Sequence, residues 1–379
     1  VTYSSEVGRN YLFEDPVSDI TRAPVNIPLN EIKKNEPIDT NGIPRQSFWK
    51  PRDPYLGNPY FNMYKNLTNN KVDRFLGIFV AKYKFTDWLD IQVRGSIDKS
   101  FGSNDSRLDE DYYGSPIGSN YYMGKSSTQA TPADLLLSFK RKLSDNFSLS
   151  GNVGGSIQDA KVQSLFADAG GLYKPNYFYL SNARNLRVTT ADTRSPEVQA
   201  IYALLTLAYR NYLSLDITAR NDWSSALPKG SESYFYPSAG LSVVLSDMLQ
   251  MPQWVSYAKA RVSLAYAGYG GLPYLGRDYY SIGQGGQIIT PTIQTFNDYK
   301  PEMTSSFEAG SEWQFLRGRL GFDLTYYKTR TKNQLLLIGA PSASLYDQRY
   351  INAGLIQNSG IEIVANLVPV RTNKFSWNL

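Results

Sequence analysis

Hydrophobic and polar residues alternate with a period of two along much of this chain. Leu89, Ile91, Val93, Gly95 and Ile97 alternate with Asp90, Gln92, Arg94, Ser96 and Asp98. The same beat runs through 147–158, 212–220, 306–315 and 319–326. Side chains on a strand point to opposite faces in turn, so each run predicts a strand with one apolar and one polar face. No comparable stretch repeats at 3.6 residues. The expected fold class is all-β.

Strand and connection lengths sharpen this to an antiparallel transmembrane β-barrel. Sandwich strands typically span about 5–6 residues, whereas several alternating runs here are longer. Short turns are expected near 86–88, 143–146, 209–211 and 316–318, with a somewhat longer connection over 246–257. Long polar segments fall between them, at about 101–131, 158–196, 223–234, 267–303 and 336–357. Short connections at one end and long ones at the other are the pattern of outer-membrane barrels. The polar faces carry Arg94, Asp216, Arg220, Glu308, Glu312 and Asp323 mid-strand. They suit a hydrated lumen, or the solvent face of an ordinary antiparallel sheet. Tyr83, Phe85, Trp88, Tyr209, Tyr212, Trp313 and Phe315 stand at strand ends, where a membrane-interface girdle would place them.

Two domains of different texture are expected. Residues 1–70 hold eight of the 20 prolines and little alternation, which predicts a long, irregular, Pro-rich loop segment of the barrel. Residues 71–379 read as about 12 or 13 barrel strands with long extracellular loops.

Composition removes many function classes. Among 379 residues there is no Cys and no His. Zinc fingers, haem or iron sites of Cys/His type, Ser-His-Asp and Cys-His pairs and disulfide frameworks are therefore excluded. Lys and Arg number 39 against 34 Asp and Glu, a net charge of +5. The basic residues are scattered, so no nucleic-acid partner is expected. A spanning helix needs roughly 18 or more apolar residues, and the most apolar stretch, Ala200 to Tyr209, is broken by Thr206. The mean hydropathy of −0.38 does not count against a barrel, because its strands alternate. The first residue is Val1 and no signal region follows it, so we read the chain as an internal piece or mature fragment.

Several longer motifs carry a family resemblance. Asn221-Asp222-Trp223-Ser224-Ser225-Ala226-Leu227-Pro228-Lys229-Gly230, followed by Ser233-Tyr234-Phe235-Tyr236-Pro237-Ser238, resembles the SusC-like TonB-dependent outer-membrane transporters of Bacteroidetes. So do Lys300-Pro301-Glu302-Met303-Thr304 leading to Glu308 and Gly310, Leu320 to Tyr327 with Thr331-Lys332-Asn333-Gln334, and Asn358-Ser359-Gly360-Ile361-Glu362. Asn58-Pro59-Tyr60, Asp73 to Gly77 and Phe85 to Leu89 match upstream, so the landmarks run in family order from about residue 58 to 366. The resemblance implies a 22-stranded barrel filled by a plug, energised by the TonB complex through an N-terminal region, with a SusD-like surface lipoprotein as a lid. The chain matches the middle of such a barrel. The plug, the TonB-box region and the C-terminal strands are expected outside this sequence.

The landmark motifs read as structural. Asn221-Asp222-Trp223 is expected to make turn-type hydrogen bonds where a strand leaves the membrane, and Asn358-Ser359-Gly360 to start a strand at a glycine kink or bulge. Gly268 to Gly271 and Gly283 to Gly286 precede no helix, which argues against a phosphate loop. Asp105, Asp109, Glu110 and Asp111 lack the spacing of a calcium loop and read as a solvated segment. Glu308 and Glu312 lie about 13 Å apart on one strand face, beyond the reach of a glycosidase pair. No catalytic residue, cofactor or metal is expected. The candidate substrate contacts are the loop tyrosines Tyr112, Tyr113, Tyr121, Tyr122, Tyr279 and Tyr280, whose rings suit a sugar face or a peptide chain.

The expected function is TonB-dependent import of an oligosaccharide or oligopeptide across the outer membrane, in contact with outer-membrane lipid. A passive porin or secretion-type channel without a plug is the alternative. A soluble or surface β-protein, such as an adhesin or carbohydrate-binding module, is the third reading.

Overall fold

The computed structural model describes residues 1–12, 17, 20–21, 25–34, 46, 57–112, 117–273, 275, 280–283, 286–372 and 374–379. Its strands are β1 Thr2–Leu12, β2 Leu67–Thr86, β3 Leu89–Leu108, β4 Asn120–Ala130, β5 Ala133–Lys142, β6 Phe147–Gln158, β7 Ala160–Asp168, β8 Arg187–Arg194 and β9 Val198–Tyr209. They continue as β10 Leu213–Ser224, β11 Ser233–Val244, β12 Val255–Tyr269, β13 Ser281–Ile282, β14 Ile288–Ile289, β15 Ile293–Gln294, β16 Glu302–Phe315, β17 Leu320–Gly339 and β18 Gln348–Leu367. β4 with β5, β6 with β7, and β8 with β9 follow each other after one to three residues. Counting each such pair once leaves about twelve long strands. Contacts divide the chain into two units: Val1–Ile78, Ser96–Thr131 and Ala160–Ser195, and Phe79–Gly95, Pro132–Asp159 and Pro196–Leu379.

In the first unit β1 pairs with the start of β2, β3 with β4, β4 with β7 and β7 with β8, all antiparallel. The irregular segment expected over 1–70 therefore opens with a strand, Thr2–Leu12. One of its faces mixes Tyr3 and Val7 with Ser5 and Arg9, so alternation reveals it poorly. A short helix, Pro59–Lys65, precedes β2. Asn58 caps it by accepting from the backbone N–H groups of Tyr60 and Phe61, and Pro59 stands at its first position, where no N–H is needed. Phe61 is buried beneath it. Asn58 Nδ2 also donates to the Ile32 carbonyl at 3.1 Å, tying this helix to the turn of helix Leu29–Lys33.

In the second unit the ladder runs β3, β5, β6, β9, β10, β11, β12, β16, β17, β18 in hydrogen-bonded order. Every pairing is antiparallel except the two-residue β15 beside β18. The connections at one end are short with one exception, 245–254, which carries a helical turn at Leu245–Met248. Asp87 and Trp88 join β2 to β3, and 143–146, 210–212 and 316–319 close three further turns. Leu316, Arg317 and Gly318 all take positive φ. The carbonyl of Trp254 and the hydroxyl of Ser256 hold the first two backbone N–H groups. At the opposite strand ends the connections are long: 225–232, 270–301 and 340–347.

The strands reach further than alternation predicts. β3 continues to Leu108, β4 starts at Asn120, and β17 and β18 extend to Gly339 and from Gln348. Much of the segments expected as loops at 101–131, 158–196 and 336–357 is therefore ladder. In the first unit Gly102 faces Ser126 and Ser103 faces Lys125. Backbone pairing persists there after the apolar row has stopped, and periodicity reports only the contrast between faces.

Both faces of the sheet in the second unit are open, the apolar one included. Leu241, Val262 and Leu324 lie mid-sheet on the apolar rows and are 40–46 % exposed. A soluble sandwich would bury such rows. These rows face lipid. The buried apolar cluster, Leu227, Tyr234 and Tyr299, lies at the long-loop end. At the short-turn end the aromatics pack together: Tyr83 on Phe85, Phe147 on Tyr209, and Trp254 and Trp313 on Phe315. Aromatics so placed suit a membrane-interface girdle.

Candidate functional site

The polar face of the second unit is cross-linked by charge. Arg94 on β3 stands opposite Asp134 on β5, and its Nε donates to Oδ1 at 2.7 Å. Arg261 on β12 faces Gly310 on β16, which faces Thr325 on β17. Its guanidinium lies over the bare glycine and donates to Asp323 Oδ1 at 2.8 Å and Thr325 Oγ1 at 2.6 Å. A Cβ on Gly310 would stand 2.9 Å from Arg261 Nε, so a side chain there displaces the bridge. Glu308, Glu312, Lys259 and Glu362 lie on the same face by register. The arrangement suits a hydrated wall, where charges stay solvated and a polar solute can slide.

At the long-loop end of this unit β10 and β11 are latched together. Asp222, 5 % exposed, accepts from Arg220 Nε at 2.6 Å and from the Tyr236 hydroxyl at 2.7 Å. The Arg220 guanidinium also sits over the Tyr202 ring. Asn221 Nδ2 donates across the ladder to Ser233 Oγ at 3.0 Å. Asn221 and Asp222 thus bind across strands and along β10, in place of the turn-type bonds expected. Gly360 likewise lies inside β18, not at its start. The positive φ falls on Gly354, while Gly360 leaves room for the Tyr327 ring, whose Oη would meet an added Cβ at 2.8 Å.

Beside the latch, Tyr234 and Tyr299 pack with Leu227 under Phe296, Leu275 and Leu335. The Tyr299 hydroxyl is buried without a hydrogen-bond partner among the described residues, and burial pushes its phenol up. A cavity of about 510 Å³ opens nearby in the same unit, lined by Leu272, Leu275, Ile289, Ile293, Gln294 and Tyr350.

The six candidate tyrosines fare differently. Tyr113 and Tyr279 lie outside the described residues. Tyr112 is buried. Tyr121 and Tyr122 belong to the start of β4, a correction to the loop position expected for them, because ladder pairing with Arg107 and Ser106 continues there. Tyr121 packs at 6.4 Å from Phe178, and Tyr122 stacks on Phe166 at 6.0 Å. Tyr280, next to the β13–β14 hairpin, is 62 % exposed. The carboxylates of 105–111 engage separate partners: Asp105 takes Arg107 and Asn69, and Glu110 takes the Ser119 N–H. The sequence reading passes over Tyr173, Tyr177 and Tyr179, all exposed. Their signal is the run Tyr173-Lys174-Pro175-Asn176-Tyr177-Phe178-Tyr179 after two glycines.

Comparison with known proteins agrees with this geometry. The curated TonB-dependent receptor P26 of Formosa agariphila is 23 % identical over 343 residues, 84 % of this chain and 34 % of that protein. The TonB-dependent receptor SusC of Bacteroides thetaiotaomicron is 25 % identical over 368 residues, 88 % of this chain and 35 % of that protein. The chain thus spans about a third of the length of these curated relatives. Among solved structures, one described as the RagAB peptide transporter superposes with a TM-score of 0.76 at 16 % identity, over 89 % of this chain and 39 % of that one. The family model described as TonB dependent receptor-like, beta-barrel matches residues 15–379. With exposed apolar rows, an ion-paired polar face and that match, the chain belongs to the TonB-dependent receptor β-barrel family of the outer membrane.

Proposed function

We propose that the protein imports a nutrient, an oligosaccharide or oligopeptide, across the outer membrane at the expense of energy delivered by the TonB complex. The observation that carries this reading is the pairing of exposed apolar rows with a charged, cross-linked inner face in a chain of this family. The TonB complex acts through the N-terminal region of the whole protein. A SusD-like surface lipoprotein covers the long-loop end. Two relatives are named TonB-dependent receptors, and the RagAB neighbour is described as a peptide transporter, which supports the importer reading. No catalytic chemistry is part of this reading. Of the tyrosines singled out by sequence, Tyr280 suits ligand contact by its exposure, and Tyr112 suits loop packing.

The test is uptake of a labelled nutrient by cells that carry the whole receptor, with and without a functional TonB complex. Uptake should fall to background without TonB. Undiminished uptake would overturn the reading in favour of a passive channel.

A further inference from the structure

The connection between β7 and β8 is a preformed loop. Gly170 and Gly171 take φ of +58° and +93°, where L side chains are strained, and turn the chain out of β7. Leu172 then pairs with Ala183 as an isolated bridge. The Tyr173 N–H donates to the Asn182 carbonyl at 2.9 Å, and Arg184 N–H to the Gly171 carbonyl at 2.8 Å. The Asn182 side chain closes the tip: its Oδ1 accepts from Lys174 N–H at 3.0 Å, and its Nδ2 donates to the carbonyls of Lys174 and Tyr177. The Asn176 N–H donates to Ser119 Oγ at 2.9 Å. The loop backbone is thus largely satisfied, within the loop and by residues 119–121, and side chains make up its exposed surface.

That surface is aromatic and cationic. Tyr173, Tyr177 and Tyr179 are 72 %, 54 % and 64 % exposed. Tyr177 and Tyr179 lie 6.2 Å apart, tilted by 45°. None of the three hydroxyls has a hydrogen-bond partner among the described residues. Lys174 rests 4.2 Å over the Tyr177 ring. No Asp or Glu occurs from residue 169 to 191. Lys174, Arg184 and Arg187 make no ion pair among the described residues. The nearby acids are committed elsewhere: Asp168 to Asn120 and Gly170, Glu110 to Ser119 N–H, and Asp192 to Lys161.

We propose that this loop is a binding platform for an acidic oligosaccharide, one bearing carboxylate or sulfate groups. The tyrosine rings stack on the C–H faces of successive sugars and their hydroxyls meet the sugar rim. Lys174, Arg184 and Arg187 pair with the anionic substituents. A peptide strand is the poorer occupant, because strand addition needs free backbone donors and acceptors, and most of this loop's N–H groups are already engaged, within it or with residues 119–121. Rings on a rigid backbone bind with little ordering cost. The inference rests on the importer reading and names its substrate class.

The experiment is calorimetric titration of the whole receptor, purified in detergent, with hexagalacturonate, uncharged maltohexaose and hexaglutamate. Hexagalacturonate should bind, with an affinity that falls as salt is raised. The triple variant Tyr173→Ala, Tyr177→Ala, Tyr179→Ala should weaken it at least about tenfold. Should that variant fail to fold, Lys174→Gln with Arg184→Gln serves instead. It should weaken hexagalacturonate several-fold, flatten the salt dependence and leave maltohexaose unchanged. Absent hexagalacturonate binding, binding indifferent to these variants, or hexaglutamate binding as tightly through the same tyrosines would each overturn the platform. Uptake independent of TonB would overturn the importer reading instead, and leaves this titration to be read on its own.

Discussion

Asp222 shows how much one side chain does at the long-loop end. Its carboxylate is nearly fully buried and answers both Arg220 and the Tyr236 hydroxyl. Asp222→Ala leaves a guanidinium and a phenol without their acceptor, which costs about 1–3 kcal/mol. The thermal unfolding midpoint of the detergent-solubilised receptor should drop, while Asn221→Ala should lower it less, because its Ser233 bond is exposed. Glu232, in the neighbouring loop, gives a pH-dependent counterpart. Its carboxylate is held below the usual 4.5 by the backbone N–H of Glu232 itself and that of Gly230. A carboxylate lowered on folding stabilises the loop above its unfolded value and loses that contribution as pH falls through the lowered value. Hydrogen exchange at the Gly230 amide should therefore accelerate below about pH 4.5, beyond the intrinsic trend. In Glu232→Gln that extra acceleration should vanish; its persistence would sink the assignment.

Single strands carry the lipid–lumen contrast. On β17 the even positions Phe322, Leu324 and Tyr326 are exposed apolar residues, while Asp323 and Thr325 hold Arg261. Leu324→Arg puts a charge on the lipid face and should destabilise folding into vesicles by about 2–4 kcal/mol near the bilayer midplane. Thr329→Arg, on the opposite face, should cost far less. Equal costs in urea titrations from lipid vesicles would contradict the face assignment. Gly310 makes a second prediction. Gly310→Val fills the space over which Arg261 reaches Asp323, so it should be destabilising in the wild-type background. Against Arg261→Ala the same substitution should cost little, and the two changes should be non-additive by double-mutant cycle.

The whole molecule is held together differently from a soluble domain. In the second unit the strands leave their apolar rows exposed, and a buried cluster collects around Tyr234 and Tyr299 at one end. Backbone hydrogen bonds across long ladders, not a central core, unite the strands, which is the solution a bilayer imposes. The receptor should accordingly resist extraction by alkaline carbonate and run faster on SDS gels unheated than boiled. Release into the carbonate supernatant would contradict membrane insertion.

Period-two alternation, the sorting of turns by length and the family motifs were all legible in the sequence, because each depends on local spacing alone. The short turns at 86–88, 209–211 and 316–318 fall where the pattern places them, and the last two turn through positive φ at Arg210, Asn211, Leu316, Arg317 and Gly318. Strand ends were not legible. Ladders such as Ser103–Lys125 join residues with no contrast between their faces, and only the partner strand reveals them. The tyrosine sites were half visible. Doublets draw the eye at Tyr121-Tyr122, yet the ladder and Phe166 absorb those rings, while Tyr173, Tyr177 and Tyr179 stand out only once Asn182 has folded their loop back on itself. The sequence by itself determined an all-β chain with one apolar and one polar face per strand, because side-chain direction follows from backbone geometry. Only the tertiary structure decided that the apolar rows stay uncovered, that Arg261 crosses Gly310 to reach Asp323, and which tyrosines remain exposed. Those outcomes depend on residues far apart in the chain meeting in register, and no local pattern encodes such a meeting.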